Sequence, residues 1–181
     1  MPSSPACERL AAALEAGLLA ELELTPKPGL VDRADAGSHP DLSYGLMARS
    51  VALVGAYLRE VAASLGRGEP LAAQVALGQA AEDRMLAALG ANTHRGAVFL
   101  GGLVLVARHR APAGEGALRD AVREVAGQLL PGRRLDGSHG DRARRAFGVG
   151  GVVGEALGGL PSVFEAALPA WRAARARGAG G

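Results

Sequence analysis

The sequence predicts an all-α fold, a single compact multi-helix bundle with a long functional loop after the first helix. Three observations predict it. Apolar residues recur at three- and four-residue spacing through successive stretches, the period of a helix with one buried face. Those stretches are separated by clusters of proline and glycine, which end helices. The 27 glycines are otherwise scattered among alanines and leucines, as expected for turns and closely packed helices rather than a linker.

At 181 residues the chain is long enough to bury a core without staples, and a single domain over residues 1–171 is expected, followed by a disordered basic tail at 172–181. One cysteine, Cys7, excludes an internal disulfide framework and points to a reducing compartment. The N-terminus lacks the features of a signal peptide. The longest apolar run, Ala97 to Ala107, is well short of the ~20 residues that span a bilayer. A soluble, cytoplasmic protein without membrane association is therefore expected. Net charge is +2, and aromatic residues are 3% of the chain, too few for the stacking platforms of nucleic-acid binders. No nucleic-acid partner is expected.

Residues 7–24 read as the first helix, on Leu10, Leu14 and Leu18. Glu21 projects within that stripe, one turn before Thr25-Pro26-Lys27-Pro28-Gly29 breaks the helix. It either points inward, toward the core or a site lined by the next loop, or is an exposed acid at a fraying end. From Thr25 to Asp41 no period is visible, and a structureless stretch this long in a compact domain is disproportionately functional. It carries Lys27, Asp32, Arg33, Asp35, His39 and Asp41. Asp41 or Ser43 can cap the next helix, or Asp41 can serve as a ligand.

That second helix, residues 43–65, places Met47, Val51, Val54, Leu58, Val61 and Leu65 on one face, with Ser50 at its edge. After Gly66-Arg67-Gly68-Glu69-Pro70 a third helix spans 71–89, with the stripe Leu71, Val75, Gly78, Glu82, Met85 and Leu89. Glu82 falls near its centre, a second acid aimed inward. Helical bundles build metal and catalytic sites from such carboxylates. Gly90 ends this helix, and the turn Ala91-Asn92-Thr93-His94-Arg95-Gly96 opens into the all-apolar fourth helix. The first N–H groups of that helix lack internal partners, and helix N-termini attract anions. With Arg95 and His94 beside them, they suggest a phosphate pocket; a capped buried helix is the plain alternative.

A fifth helix is expected over 117–130, with Leu118, Val122, Val125 and Leu129 on one face. His109 is read as exposed at a helix end. The turn Asp136 to Gly140 then places His139 ahead of Arg142, Arg144 and Arg145, a polyanion site or a solvated basic face. Gly148 to Glu155 resembles a phosphate loop only superficially, since no predicted strand precedes it and the Gly-Lys-Ser/Thr ending is absent. A last helix is expected from Leu160-Pro161-Ser162 to Trp171.

Taken together, Glu21 through Arg33, Gly37-Ser38-His39 with Asp41, Ser50, Ala81-Glu82 with Met85, Asn92 to Gly96, Ser138-His139-Gly140, and Gly154-Glu155 with Pro161 resemble the triphosphoribosyl-dephospho-coenzyme A synthase family, which makes the prosthetic-group precursor of citrate lyase and malonate decarboxylase. The similarity covers most of residues 10–170. The resemblance implies an all-α transferase that moves the triphosphoribosyl group of ATP to the 2′-hydroxyl of 3′-dephospho-coenzyme A and releases adenine. It implies an oxocarbenium-like transition state, a base for the hydroxyl, a proton for the adenine and cations on the triphosphate.

On that resemblance Glu21, Glu82, His39, His94 and His139 are catalytic candidates. Lys27, Gly29, Ser50, Asn92, Thr93, Arg95, Gly96, Gly140 and Glu155 are nucleotide-binding candidates, and Asp32, Asp41 and Glu82 are candidate Mg²⁺ ligands. The chain departs from the family in two ways. Val153 stands where members usually carry arginine, and the chain lacks their later Asp-Thr-Asn and Ser-Pro-Gly-Gly segments. A homodimer or a separate C-terminal-half polypeptide is the expected source of that part. Two other readings are a nucleotide-dependent transferase acting on another acceptor and a shortened non-catalytic module that binds a nucleotide or a partner.

Overall fold

The computed structural model describes residues 5–111, 113–130 and 151–178. All regular structure among them is helical. Contacts divide the chain into two compact units, Met1–His109 and Arg110–Gly181. No helix among the described residues is long and apolar enough to cross a membrane.

The first unit holds α1 (Pro5–Glu23), α2 (Tyr44–Gly66), α3 (Leu71–Leu89) and nearly all of α4 (Arg95–Arg110). α2 is its centre and packs against both α1 and α3. The expected face of α2 is the buried one: Val51, Val54, Leu58, Val61 and Leu65, joined by Ser50, Tyr57 and Ser64. Ser43, not Asp41, caps this helix, accepting a hydrogen bond from Leu46 N–H at 3.2 Å; Asp41 is exposed. α3 ends at Gly90, whose φ of +72° suits a residue without a Cβ, with its N–H bonded to Leu86 C=O at 2.8 Å. α4 is buried around most of its girth through Val98, Gly101, Gly102, Leu103, Leu105, Val106 and Ala107. Its glycines make this possible. Tyr57 Oη occupies the space a Cβ at Gly102 would need, and Leu58 closes against Gly101.

Two expected faces are rotated. On α1 the buried residues are Cys7, Ala11 and Leu22, so the inward line passes through Leu22 and leaves Glu21 exposed. Glu21 therefore does not point into the core. On α3 the buried residues are Gln74, Ala81 and Met85, while Val75 is exposed. Glu82 is only half-buried, at the edge of that face rather than at its centre. The reason is Gln74, whose amide donates to Ser64 Oγ at 2.7 Å and Glu69 C=O at 3.2 Å. A satisfied polar residue faces the core and turns the helix around it.

The loop from Leu24 to Ser43 has no helix or strand but is tied to itself. Asp32, buried, accepts from the N–H groups of Lys27 (2.8 Å), Ala34 (2.7 Å) and Asp35 (3.1 Å). Ser38 N–H reaches Gly29 C=O at 3.1 Å. Glu23 accepts from both Arg33 and Tyr44, and Arg33 lies over the Tyr44 ring at 4.7 Å, joining the end of α1, the loop and the start of α2. Many of its backbone N–H groups are thus answered within the loop.

The second unit contains α5 (Glu115–Leu129), α6 (Gly151–Gly158), a π-helical segment (Ser162–Ala167) and α7 (Leu168–Ala176). α5 buries Ala121, Val122, Val125 and Ala126 and packs on α6. α7 continues past Trp171 into the expected tail, where Arg172 pairs with Glu115.

Candidate active site

The site assembles where the turn between α3 and α4 meets the middle of α2. Gly90 reverses the chain, His94 C=O accepts the first bond of α4 from Val98 N–H at 2.9 Å, and Asn92, Thr93 and His94 are thereby set against α2 and α3, each half-buried.

Ser50 is the hub. Its side chain is fully buried, and its Oγ accepts from Thr93 Oγ1 at 2.6 Å, reaches Met85 Sδ at 3.3 Å and lies 2.7 Å from His94 Nδ1. Enclosed in this way, Ser50 holds other side chains; it is not placed to touch a nucleotide, contrary to the expectation for it. Burial lowers the pKa of His94 from its ordinary 6.5, while the nearby negative charge of Glu21 opposes that shift. Burial thus favours the neutral form of the imidazole.

Beside it lie two cation–carboxylate pairs. Lys27 Nζ meets Glu21 Oε1 at 2.9 Å, with the lysine side chain only 10% exposed. Arg95 Nε lies 3.3 Å from Glu82 Oε2, which also accepts from Asn92 Nδ2 at 3.2 Å. Asn92 Oδ1 is buried without a hydrogen-bond partner. Thus Glu21, Lys27, Ser50, Glu82, Asn92, Thr93, His94 and Arg95 form one neighbourhood at the N-terminus of α4.

Other candidates lie elsewhere or have other work. Asp32 spends both oxygens on backbone N–H groups, which hold its pKa below the ordinary 3.8. Together with exposed Asp41 and ion-paired Glu82 it does not converge, and among the described residues no group of three or more His, Cys, Asp or Glu side chains could hold a metal ion. Asp32, Asp41 and Glu82 therefore form no three-acid metal site among the described residues. His39 is exposed on the loop. Gly29, at φ +78°, shapes that loop, and Gly96 lies in the first turn of α4. Glu155, in the second unit, accepts from the N–H (3.2 Å) and hydroxyl (2.6 Å) of Ser162. His139 and Gly140 lie outside the described residues.

Fold and site together define an all-α protein whose first unit gathers a half-buried, anchored imidazole, two cations and a helix N-terminus in one polar cluster. The chain belongs to the ATP:dephospho-CoA triphosphoribosyl transferase family, whose sequence pattern matches residues 7–181. It is 38% identical to a probable 2-(5''-triphosphoribosyl)-3'-dephosphocoenzyme-A synthase of Azotobacter vinelandii, over 98% of this chain and 64% of that protein. It is 40% identical to a protein of the same name from Pseudomonas putida, over 95% of this chain and 64% of that one. The chain thus spans less than two thirds of the length of these relatives. No solved structure matches it.

Proposed function

We propose that this chain transfers the triphosphoribosyl group of ATP to the 2′-hydroxyl of 3′-dephospho-coenzyme A, releasing adenine. The observation that carries the reading is His94: a neutral imidazole, held at Nδ1, standing at the N-terminus of a buried helix between two cations. Family membership supplies the substrates.

In this reading His94 Nε2 takes the proton of the acceptor hydroxyl as its oxygen bonds to the anomeric carbon of ATP. The bond from that carbon to adenine breaks, its electron pair leaves on the base, and the proton that His94 took from the hydroxyl passes to the departing adenine, which leaves neutral and returns the imidazole to its starting form, so the reaction balances without an added reagent. The imidazolium formed is favoured by the Glu21 carboxylate. Lys27 and Arg95 leave their carboxylate partners for the triphosphate, joined by the first N–H groups of α4. No step is assigned to Mg²⁺, because the acids expected to hold it do not converge.

The test is adenine release from ATP and dephospho-coenzyme A, followed by chromatography. His94→Gln, folded as judged by circular dichroism, is expected to lose about 10²–10⁴-fold in kcat, the usual weight of a general base. Full activity in that variant would remove His94 from the mechanism.

A further inference from the structure

We propose that Ser50 is a positioning residue that fixes His94 in the tautomer with the proton on Nδ1, leaving the lone pair on Nε2 for the substrate. The inference deepens the reading above and rests on it for its catalytic meaning, though not for its structural content.

The argument is a proton count at one buried oxygen. Ser50 Oγ has one proton to give and two lone pairs to offer. Three partners surround it: Thr93 Oγ1 at 2.6 Å, Met85 Sδ at 3.3 Å and His94 Nδ1 at 2.7 Å. Met85 is fully buried and its thioether can only accept. Thr93 Oγ1 is 3.9 Å from that sulfur and 3.4 Å from His94 Nδ1, both much longer than its 2.6 Å contact with Ser50 Oγ, to which it gives its proton. The Ser50 proton then goes to Met85, and both serine lone pairs remain to receive. One takes the Thr93 proton. The other faces Nδ1 and requires a proton there.

This arrangement has a chemical consequence. When Nε2 takes a proton, Nδ1–H still donates to Ser50, so the network need not rearrange during turnover. The carboxylate that orients the imidazole in hydrolytic triads does the same work; here a core hydroxyl does it, with Thr93 and Met85 fixing its direction.

Nitrogen-labelled protein is examined by proton–nitrogen correlation spectroscopy at a pH where His94 is neutral. Its signals are assigned among the four histidines by their loss in His94→Gln. The expected result is a ring protonated on Nδ1 in the parent protein and shifted toward Nε2–H in Ser50→Ala. Ser50→Thr, which restores the hydroxyl, is expected to return the parent tautomer. In the adenine-release assay Ser50→Ala is expected to lower kcat about 10–100-fold, as loss of an outer partner that sets a histidine tautomer does elsewhere, with KM for ATP unchanged. A parent ring protonated on Nε2, or an Nδ1–H ring that persists in Ser50→Ala, overturns the proposal. If the tautomer behaves as expected but His94→Gln still releases adenine at the parent rate, the base assignment fails and the positioning of His94 by Ser50 stands.

Discussion

Gly102→Ala tests how α4 is seated against α2. A helix interior ordinarily favours alanine over glycine by roughly 0.5–1 kcal/mol. Here a Cβ would overlap Tyr57 Oη and lie 3.2 Å from Tyr57 Cζ, closer than the ~3.5–4.0 Å of a comfortable carbon contact. Tyr57 is only 3% exposed, so the ring cannot swing into solvent. Overpacking of a core costs about 1–3 kcal/mol, which exceeds the helix gain and leaves a net destabilisation of about 1–2 kcal/mol. The decisive variant is Tyr57→Phe. Among the described residues the Tyr57 hydroxyl has no hydrogen bond, so its removal alone is expected to change stability by less than about 1 kcal/mol. In that background the worst overlap is gone, and a double-mutant cycle should return a favourable coupling of about 1–2 kcal/mol. Urea unfolding followed by far-ultraviolet circular dichroism, with the m-value held constant, provides the measurement. If Gly102→Ala stabilises the parent protein, or carries an equal penalty with phenylalanine at position 57, the packing argument is wrong. Gly101→Ala should cost less, because its Cβ meets the movable end of Leu58 at 2.8 Å.

Acid unfolding is expected in two stages. Below the ordinary 6.5 of histidine the unfolded chain binds a proton that buried His94 refuses, so stability declines as pH falls through that value toward the lower folded pKa. Glu23 and Asp32 are held below their ordinary 4.5 and 3.8 by hydrogen bonds, so their contribution is present above those values and is lost as pH falls further. Melting temperatures of the parent and His94→Gln between about pH 7 and 5 separate the stages; a decline in that window that persists without the histidine refutes the first. Gly37→Ala should destabilise the loop by at least about 1–3 kcal/mol, because φ is +55° and a Cβ would lie 2.5 Å from Leu30 N and 2.7 Å from Gly29 O, backbone atoms that cannot yield. Faster proteolysis within residues 25–43 reports it, and unchanged cleavage counts against the claim.

The helices were legible because their apolar spacing and punctuation agree: Ser43 and Gly90 stand where α2 begins and α3 ends, and Val51 through Leu65 are buried as the period requires. The rotations of α1 and α3 were not, for a physical reason. A helical wheel weights every apolar residue alike, whereas burial follows what the neighbours accept. Gln74 is buried because Ser64 and the Glu69 carbonyl satisfy it, and Val75 beside it is exposed. An internal hydrogen bond decided the face, and hydrophobicity alone carries no record of it.

The same distinction separates the legible part of the site from the rest. Asn92 to Arg95 could be found because a polar turn ahead of an apolar helix has unsatisfied N–H groups wherever it folds. The loop-ordering bonds of Asp32 were not legible, because a loop acid with three backbone donors looks, in sequence, like any other loop acid. Ser50 carried a signal that could have corrected its own assignment. A hydroxyl among Met47, Val51 and Val54 must be answered inside the protein, so a partner side chain, not a ligand, was the expectation its position called for. That partner is His94. The buried serine and the turn histidine, 44 residues apart in sequence, are therefore joined, and in the proposed mechanism the core of α2 sets the proton of a group that the turn holds at the head of α4.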